Sequence, residues 1–134
     1  MSVIRPFKAI RPASGAAEHV ACVPYDVIYD DEVREMIGRN ELSFLRVTRP
    51  EGEFPADAMP DSETVFERAR KNLQAMLDSR VLFEDDEPAI YVYQLQDGDH
   101  VQTGVVACCS VDEYDRDLIK KHEKTRPDKV ADRT

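Results

Sequence analysis

The most chemically loaded stretch of the sequence lies toward its C-terminal end, Ile119-Lys120-Lys121-His122-Glu123-Lys124-Thr125-Arg126-Pro127-Asp128-Lys129. His122 sets an imidazole that titrates near neutral pH beside the carboxylate of Glu123, and such a pair can exchange protons with a substrate. Lys120, Lys121, Lys124, Arg126 and Lys129 offer cationic donors for phosphate oxygens, and Thr125 adds a hydroxyl that can bond phosphate directly. On spacing alone the same residues also fit the charged end of a solvated helix, with Glu123 paired to Lys120 or Lys124 and Pro127 ending it. No glycine-rich phosphate loop accompanies them, since the five glycines form neither a P-loop nor a dinucleotide fingerprint.

A second candidate is Asp26 in Val23-Pro24-Tyr25-Asp26-Val27-Ile28. An aspartate just after a proline-stiffened extended segment can act as metal ligand, base or hydroxyl anchor, and it can equally do no more than cap a turn. Cys22, Cys108 and Cys109 are odd in number and match neither a zinc site nor a disulfide framework, so they read as small buried hydrophobes. His19 and His100 fall in surface loops or turns without a Cys or second His at ligand spacing, and no metal site is expected. Tyr91 and Tyr93 share one face of a strand, which suits either an aromatic platform for a base or a half-buried sheet face.

The elements that must position these groups follow from periodicity. Val65, Phe66, Ala69, Leu73, Met76 and Leu77 recur on one face of a 3.6-residue period, predicting an amphipathic helix from Asp61 or Ser62 to Arg80. A shorter helix runs to Arg39 behind Asp30 as its N-cap, with Asp31 and Glu32 in the first turn. The alternation in Ser43-Phe44-Leu45-Arg46-Val47-Thr48 predicts a short strand halted by Arg49-Pro50, followed by a loop over 51–60. Residues 89–95 and 101–109 read as antiparallel strands joined through Asp97-Gly98-Asp99. The second is apolar on successive residues, which predicts a central strand covered on both faces. The expectation is an α+β fold with a small mixed sheet, an antiparallel hairpin and amphipathic helices.

Bulk composition sets the outer limits. A chain of 134 residues with 42% hydrophobic and 34% charged residues is long enough to bury a core, and reads as one globular domain, not as a disordered segment. Its net charge of -9 disfavours direct nucleic-acid binding by this portion, as it does binding to anionic lipid. The start, Met1-Ser2-Val3-Ile4-Arg5-Pro6, has no signal-peptide pattern, and no apolar run approaches a membrane span, so the chain reads as cytoplasmic.

Five strings line up together: Ile4-Arg5-Pro6-Phe7, Pro24-Tyr25-Asp26-Val27, Ser43-Phe44-Leu45-Arg46-Val47-Thr48-Arg49-Pro50, Tyr91-Val92-Tyr93 and the string from Ile119 to Lys129. Together they resemble the prokaryotic family catalogued as domain of unknown function 1015, over essentially the whole chain. The resemblance implies that residues 1–134 are a single N-terminal domain, or part of one, in a longer protein, with the remainder of the parent chain as a partner. It also implies a ParB/sulfiredoxin-like fold, in a superfamily that includes nucleotide-dependent kinases of free serine. A further Asp-Gly-His-His-Arg type phosphate motif would lie beyond Thr134. The likeness further implies a small-molecule or nucleotide ligand, with ATP or ADP and magnesium as cofactor. Under it, catalytic roles fall to His122, Glu123 and Asp26, and phosphate binding to Lys121, Lys124, Thr125 and Arg126. The activity implied is that of a small-molecule, amino-acid-type kinase; the alternative is a ParB-like, non-catalytic, nucleotide-gated binding or adaptor module.

Overall fold

The computed structural model describes residues 3–120. In chain order the elements are β1 (Ile4–Arg5), β2 (Ile10–Pro12), α1 (Ala17–Val20), α2 (Asp30–Arg39), α3 (Leu45–Thr48), a 3-10 turn (Pro50–Glu53), α4 (Ser62–Asp78), β3 (Leu82–Glu84), β4 (Tyr91–Asp97), β5 (His100–Val106), β6 (Cys108–Cys109) and α5 (Val111–Asp115). The fold is α+β, and among the described residues the pairings form three two-stranded antiparallel sheets, β1 with β6, β2 with β3 and β4 with β5. Among the described residues no helix is long and apolar enough to cross a membrane. The chain divides into two units, Ile10–Asp85, and Met1–Ala9 with Asp86–Thr134.

The Ile10–Asp85 unit is built around α4. Its start is fixed by the carboxylate of Asp61, which accepts the backbone N–H of Thr64 at 2.8 Å and satisfies one of the helix's orphan donors. Met76 faces a core with Val20 and Leu82, and Phe44, Val47, Leu73 and Leu77 pack against it. Phe66, assigned to the same stripe on periodicity, is 64% exposed and lies off the buried face. In α2, Val33 is fully buried. Asp30 is the first helical residue there and not its cap: Tyr29 holds the N-cap position, and its N–H donates to the Glu32 carboxylate at 3.0 Å.

Residues 43–48 correct the expected strand. They form the single helical turn α3, begun by a buried Ser43 whose Oγ accepts the N–H of Leu45 at 3.3 Å. In a strand, Phe44 would point away from the face shared by Leu45 and Val47. A helical turn brings all three inward, with Leu45 fully buried and Phe44 and Val47 on the core. The loop expected over 51–60 opens with the 3-10 turn, where Gly52 lies so close to Val33 that a Cβ there would sit 2.5 Å from its Cγ1.

In the other unit β4 and β5 form a continuous ladder from Tyr91↔Val106 to Asp97↔His100. Gly98 takes φ +57° at the first position of the two-residue turn, the site where a type II′ hairpin requires glycine. The central, doubly covered strand expected over 101–109 does not exist. The apolar run changes partner at Ala107: β5 pairs with β4 and is exposed along its length, whereas β6 pairs with β1. Cys108 and Cys109 are accordingly exposed, not buried as expected. Tyr91 anchors the strand's start: its hydroxyl donates to the Phe7 carbonyl at 3.1 Å and accepts the Ala9 N–H at 2.9 Å, and its ring meets Phe7 edge-on at 5.1 Å. Ser110 caps α5, and the Glu113 carboxylate accepts the Val3 N–H at 2.8 Å.

Candidate functional site

Residues 24–28 form a turn between α1 and α2, with the Val27 N–H donating to the Pro24 carbonyl at 3.3 Å. Asp26 lies at its centre, exposed, and its carboxylate meets no donor or cation among the described residues. The turn itself is held tightly. Arg49 donates from Nη1 to the carbonyls of Tyr25 at 2.7 Å and Ile28 at 3.0 Å. Its Nη2 reaches the Asp30 carboxylate at 2.5 Å and its Nε that of Glu51. The Arg49 side chain is only 14% exposed. A planar guanidinium with donors on several edges can satisfy two carbonyls and two carboxylates at once, which an ammonium cannot match.

This contact joins two of the sequence strings, since Arg49 ends the helical turn of 43–50 and the carbonyls belong to the Pro24-Tyr25-Asp26-Val27 segment and the residue that follows it. One turn earlier, Arg46 pairs with Glu53 and donates to the Glu41 carbonyl at 2.8 Å. The buried Asn72 donates to the Arg46 carbonyl at 2.7 Å and to Glu53 at 3.1 Å. Sequence reasoning did not assign Arg46 or Arg49 a role. Their spacing of three residues, one helical turn, was the available signal, and the strand assignment of 43–48 hid it.

Two recesses in the same unit differ in what they offer phosphate. One of about 730 Å³ beside α4 carries Arg68, Arg70 and Lys71, but each has an acid partner: Glu53 at 3.5 Å from Arg68, and Glu67 at 2.8 Å from Arg70 and 3.6 Å from Lys71. The other, about 490 Å³, is walled by Ile10, Val20, Phe44, Leu73 and Leu82, an apolar lining with no cation for an anionic ligand. Cys22 lies at that wall, and burial pushes its thiol up, partly offset by a backbone hydrogen bond at Leu45. Among the described residues no group of three or more His, Cys, Asp or Glu is placed to hold a metal ion. His19 lies in α1 and His100 opens β5, both exposed.

Of the residues assigned by sequence, Asp26 is therefore in view. Lys121, His122, Glu123, Lys124, Thr125 and Arg126 lie outside the described residues. Just before them, Lys120 is exposed and donates to the Asp117 carbonyl at 3.1 Å, and the Ile119 N–H donates to the Glu113 carbonyl at 3.3 Å.

No curated protein and no solved structure matches the chain. A family model described as protein of unknown function (DUF1015) matches residues 4–134, and the chain belongs to that family.

Proposed function

We propose, with membership of the DUF1015 family as the premise, that this chain binds the phosphates of a nucleotide and takes part in phosphoryl transfer to a small, amino-acid-type acceptor. Lys121, Lys124, Thr125 and Arg126 grip phosphate oxygens, and His122 or Glu123 takes the acceptor's proton. Phosphoryl transfer asks the protein for positioned positive charge and an aligned nucleophile more than for covalent chemistry. The string supplies those group types in an otherwise acidic chain.

The observation that carries the reading is Asp26, a carboxylate without a protein partner among the described residues, on a turn whose backbone Arg49 fixes at two carbonyls. Functional groups work best when their supports are locked and their own valences are free. Magnesium carried by nucleotide phosphates keeps most of its waters and needs only one or two carboxylates, a demand that Asp26 fits. Asp26, within the Ile10–Asp85 unit, would offer such an ion one anionic oxygen or, without the ion, an anchor for a hydroxyl.

Calorimetric titration of the protein with Mg·ADP and Mg·ATP tests the assignments separately. Removing one charge-assisted phosphate contact is worth roughly 1.5–3 kcal/mol, so Arg126→Ala should weaken binding about ten- to a hundredfold. Equal affinity in Arg126→Ala and wild type sinks the phosphate assignment, and unchanged binding and turnover in Asp26→Asn removes Asp26. A panel of free amino acids and polyols incubated with nucleotide should yield a phosphorylated product. If binding persists and no acceptor is phosphorylated, the non-catalytic, nucleotide-gated module takes the place of the kinase.

A further inference from the structure

Across residues 89–110 the sequence contains no lysine or arginine, and its only acids are Asp97 and Asp99 at the hairpin turn. The chain as a whole is 34% charged with a net charge of -9, so two copies repel over most of their surfaces and approach most easily along β5, His100–Val106, which holds no Asp, Glu, Lys or Arg. Its strands also lack the devices that protect an exposed edge: no proline or charged side chain interrupts β5, and its register with β4 runs without a bulge. Among the described residues β5 pairs with β4 alone. A two-stranded hairpin is marginal in water until a further strand or layer joins it.

The backbone groups that face outward follow from the turn. The two-residue loop makes Asp97 and His100 a hydrogen-bonded pair, and bonded and non-bonded pairs then alternate along the ladder. His100, Gln102, Gly104 and Val106 bond back to β4, while the N–H and C=O groups of Val101, Thr103 and Val105 face the open edge. About Thr103 the strand is close to symmetric, with a valine two residues away on each side.

We propose that β5 pairs antiparallel with β5 of a second copy, about a twofold axis through Thr103, forming a four-stranded sheet in the order β4-β5-β5-β4. A strand edge is self-complementary under such an axis. The register sets Val101 against Val105 of the second copy and Thr103 against its own counterpart, both favourable cross-strand pairs. The central row then reads Gln94-Thr103-Thr103-Gln94 across the four strands, extending the bond that Gln94 Nε2 already donates to Thr103 Oγ1 at 3.2 Å. On the same face Val92, Val101 and Val105 line up in rows that cross the new seam. They are 74%, 50% and 67% exposed, so the enlarged sheet has apolar surface to offer a covering layer. The outer edge of β4 has no such symmetry: Val92 and Gln96 flank Gln94 at the same spacing.

Size-exclusion chromatography with light scattering, run over a range of concentrations, tests the assembly. The mass should rise from 15.3 kDa toward twice that value. Thr103→Pro removes an outward N–H at the seam's centre without touching a backbone bond to β4, losing only the side-chain bond from Gln94 that Gln94→Pro loses too, and should hold the chain at the monomer mass. Val105→Lys, which sets a charge on the seam, should do the same. Gln94→Pro takes an outward N–H from the opposite edge and should leave the dimer intact, controlling for damage to the hairpin. A wild-type chain that stays monomeric at every concentration overturns the proposal. So does a dimer that survives both β5 variants, and so does one that Gln94→Pro abolishes as fully as Thr103→Pro.

Discussion

Replacing Arg49 separates the charge of this side chain from its shape. In Arg49→Ala the carbonyls of Tyr25 and Ile28 lose their donor, and Glu51 and Asp30 lose their cation. The two carbonyl bonds come from a charged donor in a half-buried setting and together contribute roughly 2–3 kcal/mol. Glu51, with its side chain 25% exposed, adds roughly 1 kcal/mol, whereas Asp30 is 62% exposed and its ion pair adds little. The expected loss is therefore about 3–4 kcal/mol, a large share of the roughly 5–15 kcal/mol typical of a domain. Arg49→Lys keeps the charge but replaces a fork by a point, and should lose about half as much. Urea unfolding followed by far-UV circular dichroism gives both numbers, with the slope unchanged if the native and denatured states keep their compactness. Asp30→Asn combined with either variant should show a coupling below about 1 kcal/mol. An Arg49→Ala protein destabilised by less than about 0.5 kcal/mol, or a lysine variant equal to wild type, refutes the view that this guanidinium holds the Asp26 turn.

Gly52→Ala places a methyl group 2.5 Å from Cγ1 of the fully buried, β-branched Val33 and 3.0 Å from Cδ1 of Ile37, so overpacking should cost about 1–3 kcal/mol in the same unfolding assay; a neutral result would mean that the 3-10 turn shifts freely away from α2. In acid, Glu67 is held down at about 2 chiefly by the Arg70 hydrogen bonds, and Asp61 is lowered by the backbone N–H of Thr64. Both folded values lie below the ordinary ones of 4.5 and 3.8, so their stabilisation is present above those values and is lost as the pH falls through the depressed range. Carboxyl NMR titration should place the Glu67 midpoint near 2 and return it toward 4.5 in Arg70→Ala; a wild-type midpoint already at 4.5 would remove the effect.

The elements legible in the sequence were those whose signals are long or chemically redundant. Helix α4 repeats its apolar spacing over several turns and opens on an aspartate cap, and the hairpin announces itself by Asp97-Gly98-Asp99 between two strand-like runs. Residues 43–48 were not legible, because six residues hold less than two helical turns and fit either period. Only the core decided, by drawing in Phe44, Leu45 and Val47 together. The run 101–109 misled for a different reason. Continuous hydrophobicity normally means burial on two faces, but here it spans two strands with different partners, and a change of partner leaves no mark in composition.

The candidate site shows the same division between residue and context. Asp26 was visible as a residue type behind a proline, but what distinguishes it from a turn-capping aspartate is the absence of a partner among the described residues, and that is a property of the fold. Arg49 reaches carbonyls 24 and 21 residues away, and Tyr91 reaches the Phe7 carbonyl 84 residues away. Neither link is local enough to show in a sequence pattern. Once these bonds are counted, the strings that carry the family likeness separate into two kinds of residue. Arg49 spends its donors on two carbonyls and two carboxylates, Tyr91 spends its hydroxyl on backbone, and both serve as framework, whereas the Asp26 carboxylate has no partner among the described residues. A motif shared for structural reasons and one shared for chemistry look alike in a sequence; unspent hydrogen-bonding capacity on a fixed support marks a candidate for chemistry, and Asp26 meets that description on the turn that Arg49 holds.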